Sequence, residues 1–209
     1  MAKQGFLETL REQRWDDHRF YHQSRINQSL HFVSAISFLV AYAMLLVSPA
    51  IAAIIGWLVS MGTRQSGHFF FEPLGFDKVN QVTNEHKESI KVGYNLRRKV
   101  VLIAIWAVSP FILVPFPGLF GASASTLSLV DQVGLIWLTI GVGGLLFRTV
   151  HLFFIRDVQT GLVWMTKILT DPFNDIKLYH GAPLKLLRGE LIDPMNHVGE
   201  HSPELQAGA

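Results

Sequence analysis

His22, Asn27, His31, His68 and Glu72 are the residues of this chain whose types and spacing could do chemistry. Imidazoles accompanied by an amide and a carboxylate suit an ion such as iron or zinc. The chain has no cysteine, which excludes thiolate sites, disulfides and thiol nucleophiles. A transition metal would therefore be held by some of its nine histidines, with Asp, Glu, Asn or Gln. His18 and His22 stand at i, i+4 and share a helix face, as do Asn27 and His31, and Arg64, His68 and Glu72. His22 and His31 would lie on opposite faces of one unbroken helix. Both can reach one ion only if the chain bends, and a bend is expected near Ser24 to Asn27. Asn27 would then orient an imidazole through a hydrogen bond, or simply cap a helix.

The segments that must position these residues are apolar. Of 209 residues, 49% are hydrophobic and 16% charged, where a soluble domain has about 25% charged. Mean hydropathy is +0.29. Leu30 to Val47 and Ile51 to Gly62 form two apolar runs separated by Ser48-Pro49. Val100 to Phe120 is a third, which Pro110, Pro115 and Pro117 should kink or end, and Val133 to Ile155 is a fourth, with Gly141, Gly143 and Gly144 for close helix approach. The fold class expected is all-α: a polytopic membrane bundle of four transmembrane helices with amphipathic and interfacial helices. Its parts are a cytoplasmic amphipathic segment, 1–29, a transmembrane domain, 30–157, with a polar loop at 73–99, and an interfacial segment with a flexible tail, 158–209. Asp171-Pro172 should break that last segment, and the tail from Asp193 should be poorly ordered. Residues 121–128 read as a small polar loop.

Charge sets the sides. Of the 18 Lys and Arg, five lie in 1–29, seven in 64–99 and six in 148–188, which leaves none in the turns between spans one and two or three and four. The positive-inside rule then puts both termini in the cytoplasm of a multi-pass protein, in a bacterial inner membrane or, for a eukaryote, the endoplasmic reticulum. A formal net charge of +2 argues against a nucleic-acid partner. This topology gathers the histidines at one membrane face, although histidines were not used to derive it. An intramembrane histidine is expensive without a partner, so a metal site at that face is expected. The plain alternatives are a surface role for His22, an interfacial anchor for His31, and a phosphate or Asp157 partner for His151. Phe69 to Phe71 read as lipid-facing packing, and His197 and His201 as solvated tail.

His22-x4-Asn27-x3-His31-Phe-Val, then a hairpin and Gly67-His68-Phe-Phe-Phe-Glu72, resembles the membrane family of 2-hydroxy fatty acid dioxygenases, which includes a yeast enzyme of phytosphingosine α-oxidation. The resemblance covers about residues 18–73. This chain has Arg25-Ile26 where the family usually has Asn-Pro, and Pro73-Leu74 where it has Pro-Ala. What the resemblance implies is an Fe(II)-dependent enzyme, with zinc the alternative metal, that uses O2 to shorten a 2-hydroxy fatty acid by one carbon. It implies His22, His31 and His68 as iron ligands, with Asn27 and Glu72 as supporting catalytic residues. A fourth ligand is expected in His151, with His18, His86 and His180 as further candidates. Arg64 and Arg148 would attract the substrate carboxylate, or else snorkel to lipid phosphates. The acyl chain would run between the spans past Phe38, Val40, Trp57 and Ile103.

Two other classes fit the same residues. A di-iron lipid hydroxylase or desaturase needs about eight histidines in HxxxH and HxxHH clusters, and only His18-x3-His22 has that form here. A non-enzymatic membrane protein that binds zinc, haem or another metal is the second.

Overall fold

The computed structural model describes residues 4–73, 75–117, 119–120 and 127–195. Most of the helices begin where a small polar side chain caps them, because the first turn of any helix leaves N–H groups without intrahelical partners. α1 spans Phe6–Tyr21 and buries Leu10, His18, Phe20 and Tyr21 on one face. α2, Arg25–Met44, starts from Ser24, whose side chain accepts from the Asn27 N–H. α3, Pro49–Ile54, starts from Ser48 with proline in its first turn. It runs on through a π-helical stretch, Ile55–Met61, into α4, Gly62–Phe70. After α5, Asn84–Ile90, comes α6, Leu96–Val108, capped by Asn95 and followed by a 3₁₀ turn over Ser109–Leu113 that begins just before Pro110. α7, Leu129–Ile155, is capped by Ser128 and Asp131 acting reciprocally. α8, Val158–Tyr179, is capped by Asp157, and α9 is Ala182–Leu187. No strand occurs among the described residues; Ser24 and Ile192, and Asp77 and Val82, form isolated bridges.

The bundle is arranged around α2, which packs against α3, the π-helical stretch and α4 on one flank and against α8 and α9 on another. α7 lies between α3 and α8. Two glycines permit these approaches: a Cβ at Gly134 would overlap the Ala50 carbonyl, and one at Gly161 would sit 2.7 Å from the Thr149 carbonyl oxygen. In the π-helical stretch the Ser60 carbonyl accepts from Ser34 Oγ of α2 at 2.7 Å, and Trp57 Nε1 donates to the Trp137 carbonyl of α7 at 2.9 Å. Trp57, Trp106 and Trp137 stack in sequence, with ring centroids 5.3 and 4.9 Å apart.

Three expectations need correction or narrowing. α8 does not break at Asp171-Pro172; Pro172 sits inside it, buried. The ring removes one backbone hydrogen bond, but ion pairs from Lys167 and Asp171 to α1, and from Asp171 and Asp175 to α4, hold the helix through that point. Asp193 is no loose tail either: its carboxylate binds Arg25 Nη1 at 2.8 Å and Gln28 Nε2 at 2.9 Å, and Met195 is buried beyond it. Residues 196–209, with His197 and His201, and most of the expected 121–128 loop lie outside the described residues. Finally, four spans were expected, and among the described residues two helices, α2 and α7, are long and apolar enough to cross a membrane.

Candidate metal centre

The three histidines reach one point from three helices. His22 follows the last residue of α1, and its N–H closes on the His18 carbonyl at 3.2 Å. The chain breaks over His22 to Ser24, slightly ahead of the bend expected, and α2 then carries His31 back two turns later. The break is pinned by side-chain amides that satisfy the end of α1. Asn27 Nδ2 donates to the Tyr21 carbonyl at 2.8 Å, and Gln28 Nε2 to the His22 carbonyl at 2.8 Å. Of the two roles expected for Asn27, orienting an imidazole or capping a helix, its amide takes neither and holds the end of α1, because the final carbonyls of α1 have no helical donor.

His68 comes from α4. The ligand atoms of His22, His31 and His68 lie within 4.8 Å of one another, with His22 Nε2 and His31 Nε2 3.1 Å apart. Two imidazole nitrogens bound to one ion at about 2.0–2.1 Å would stand roughly 2.9–3.4 Å apart, for angles from square to tetrahedral. The His22–His31 spacing fits two ligands of one divalent ion. Burial pushes the His22 imidazole well below its usual pKa, with the neighbouring His31 adding to the effect. A neutral imidazole keeps the lone pair that coordination needs.

Carboxylates stand behind two of the rings. Glu72 Oε2 accepts from His68 Nδ1 at 2.7 Å, which leaves Nε2 as the ligand atom, and Glu72 Oε1 is held by Lys91 Nζ at 3.2 Å. His31 Nδ1 faces Asp175 Oδ2 at 3.5 Å, and Asp175 is fixed by Arg64 Nη1 at 2.9 Å. Neither His22 Nδ1 nor His31 Nδ1 has a hydrogen-bond partner, so Asp175 stands near His31 without bonding it. The buried Tyr179 ring lies 5.7 Å from His22 and 6.2 Å from His31, and its hydroxyl meets His18 Nδ1 at 3.1 Å.

Among the described residues no fourth histidine, aspartate or glutamate joins the three. His18 is taken up by Tyr179. His151 Nδ1 accepts from Arg148 Nη1 at 3.0 Å on α7, and Arg148 also binds the Val92 carbonyl at 2.5 Å. His86 is exposed on α5, and His180 is exposed with Nδ1 beside the Lys177 carbonyl at 3.1 Å. Arg64 points inward to Asp175 and, at 3.6 Å, to Asp171. Neither arginine snorkels outward.

Asp17, Lys167, Asp171, Asp175 and Tyr179 were missed in the sequence. Lys167 Nζ bridges Asp17 and, at 2.7 Å, Asp171. Its ammonium is raised above the usual lysine range because the two carboxylates outweigh burial. The signal was present as Lys167, Asp171, Asp175 and Tyr179, four residues at i, i+4 steps along one helix face.

Gly67 is what lets α4 reach α2. A Cβ there would overlap Asn27 Oδ1 and stand 3.4 Å from His31 Cδ2. Gly67→Ala is expected to cost about 1–3 kcal/mol, as overpacking of a tight contact does, and to loosen metal binding by spreading His68 from His31. Unfolding and metal retention measured together check this, and wild-type values for both would show that the contact is not needed. No protein-family model, curated protein or solved structure matches the chain.

Proposed function

We propose that the chain is a multi-pass membrane enzyme in which His22, His31 and His68 hold Fe(II), and that it oxidises 2-hydroxy fatty acids with O2, shortening them by one carbon. The observation that carries this is the convergence of three buried imidazoles, two of them backed by carboxylates. That donor set fits a ferrous ion, and it also fits zinc. Bound iron would supply the redox chemistry with O2. The reaction balances without another reductant: a 2-hydroxy acid and O2 give the acid one carbon shorter, CO2 and water.

The chain's own residues have separable tasks. Glu72 keeps the His68 proton on Nδ1, and Asp175 faces the corresponding nitrogen of His31. Tyr179 covers the cluster from the α8 side and limits access of water. Arg64 is committed to Asp175 and Asp171, and Arg148 lines a separate cavity beside α7, so the cation assigned to a substrate carboxylate is Lys99. Lys99 is half-buried near the start of α6 and forms no ion pair among the described residues.

Membrane placement is supported by the apolar surface. Leu46 is 91% exposed, Phe154 83% and Val114 79%, values that water would penalise and lipid would not. In the proposed topology α2 and α7 cross fully. The helix through α3 and α4, and α6 with its 3₁₀ turn, complete four passes with both termini cytoplasmic.

O2 uptake by purified protein tests the reading. One O2 should be consumed per 2-hydroxypalmitate, with palmitate inert. A preparation that holds iron yet consumes no O2 with any 2-hydroxy acid would point to a non-enzymatic metal protein.

A further inference from the structure

A cavity of about 240 Å³ opens beside the C-terminal end of α7, against the chain that links α5 to α6. Four cations line it, Lys91, Arg98, Arg148 and Arg156, and one carboxylate, Glu88. Lys91 is shared with Glu72 and Glu88 at 3.2 and 3.3 Å. The three arginines form no ion pair among the described residues. Arg148 is 3% exposed, held by the Val92 and Gly93 carbonyls and set over the Tyr94 ring at 5.3 Å, and its Nε lacks an acceptor. The recess thus carries more cations than carboxylates, with Glu88 engaged by Lys91 and the three arginines left without a carboxylate among the described residues, an excess that an entering anion would offset. Arg98 and Arg156 are exposed at its mouth, where Arg156 reaches only the Ser89 carbonyl, at 3.4 Å.

We propose that this cavity binds the phosphate headgroup of an anionic membrane lipid. The phosphate chemistry follows from guanidinium groups that can grip oxygens in pairs. The lipid source follows from the wall, where Leu152 and the half-exposed Ile155 of α7 line the cavity beside the cations. It also rests on the proposed topology, which puts this end of α7 at the cytoplasmic leaflet, where basic pockets between helices take anionic headgroups. Lys91 gives the site a bearing on the histidines. A headgroup here would share that ammonium with Glu72, the carboxylate behind His68.

Native mass spectrometry of the full chain in neutral detergent tests this, with phosphatidylglycerol, phosphatidylcholine or inorganic phosphate added. Retention is read by mass alone, so the result is independent of whether the histidines hold metal or turn over substrate. One phosphatidylglycerol should stay bound per chain in preference to phosphatidylcholine. Arg98→Gln with Arg156→Gln should weaken retention by roughly thirtyfold, for the loss of two basic contacts. Both side chains are exposed, so the fold should persist, and Arg98→Lys with Arg156→Lys should keep most of the binding. Equal retention by wild type and the glutamine double variant would overturn the site. Inorganic phosphate displacing the lipid at equal concentration would overturn the lipid assignment in favour of a free anion.

Discussion

Replacing His22, His31 or His68 by alanine should take bound metal from about one ion per chain to nearly none, while His151→Ala keeps it. Each of the three supplies one nitrogen to a cluster spanning 4.8 Å, and among the described residues no fourth histidine, aspartate or glutamate joins it. Removing a group that merely orients a ligand weakens metal binding about 10–100-fold, so loss of a ligand should exceed that. His151 is the control because its Nδ1 is already taken by Arg148. Elemental analysis of the four purified variants, with helical content as a check on folding, reads the result. Unchanged metal in the first three would remove the basis for the centre, and loss in His151→Ala would mean that the site extends to α7.

Arg64→Ala is expected to be the most destabilising single change near the site. Arg64 is the cation on Asp175 and a second partner of Asp171, and those carboxylates are only 7% and 5% exposed. Stripping the partner from a buried charge costs about 3–5 kcal/mol, because the remaining ion is left in a medium that solvates it poorly. Burial already raises the Asp175 carboxyl above its usual pKa, and Arg64 opposes that rise. In the variant only Lys167 still opposes the rise, so the carboxyl moves further up and the folded state binds a proton that the unfolded state releases. A raised folded-state pKa contributes stability that is present below the unfolded value and is lost as pH rises through the folded one. The gap between variant and wild type should therefore narrow as pH falls toward about 4 and widen toward neutrality. Unfolding in detergent across that range checks the sign, and a gap independent of pH would mean that Asp175 carries no stranded charge. Arg64→Lys should recover part of the loss, since one ammonium cannot reproduce the two-pronged contact.

The meeting of His22, His31 and His68 was legible from the sequence, because two apolar runs joined at Ser48-Pro49 return the chain to its starting face. The need for a break between His22 and His31 was legible too, from helical periodicity alone. What could not be read was which neighbours would override local signals. Pro172 reads as a stop, yet the ion pairs on either side carry α8 through it, and that misreading hid the row from Lys167 to Tyr179. The topology expected from charge gathers His151 with the other histidines, but periodicity does not reveal that Arg148, on its own helix, claims it first. Asp193 shows the same limit at long range, since its partners Arg25 and Gln28 lie at the other end of the chain.

The widened turn between α3 and α4 has a consequence for how this stretch can vary. A π-helical turn holds one residue more than an α-helical one, so whatever follows it is rotated by about 100° relative to a straight helix. The upstream half answers to α7, where Ala50 meets Gly134, and the downstream half to α2, where Gly67 meets Asn27. One continuous rod could not present both contact faces in these directions. Angular phase, more than residue identity, is thus what Ile55–Met61 contributes. Substitutions there that keep the apolar surface leave His68 aimed at its partners, whereas gain or loss of a single residue would swing it away.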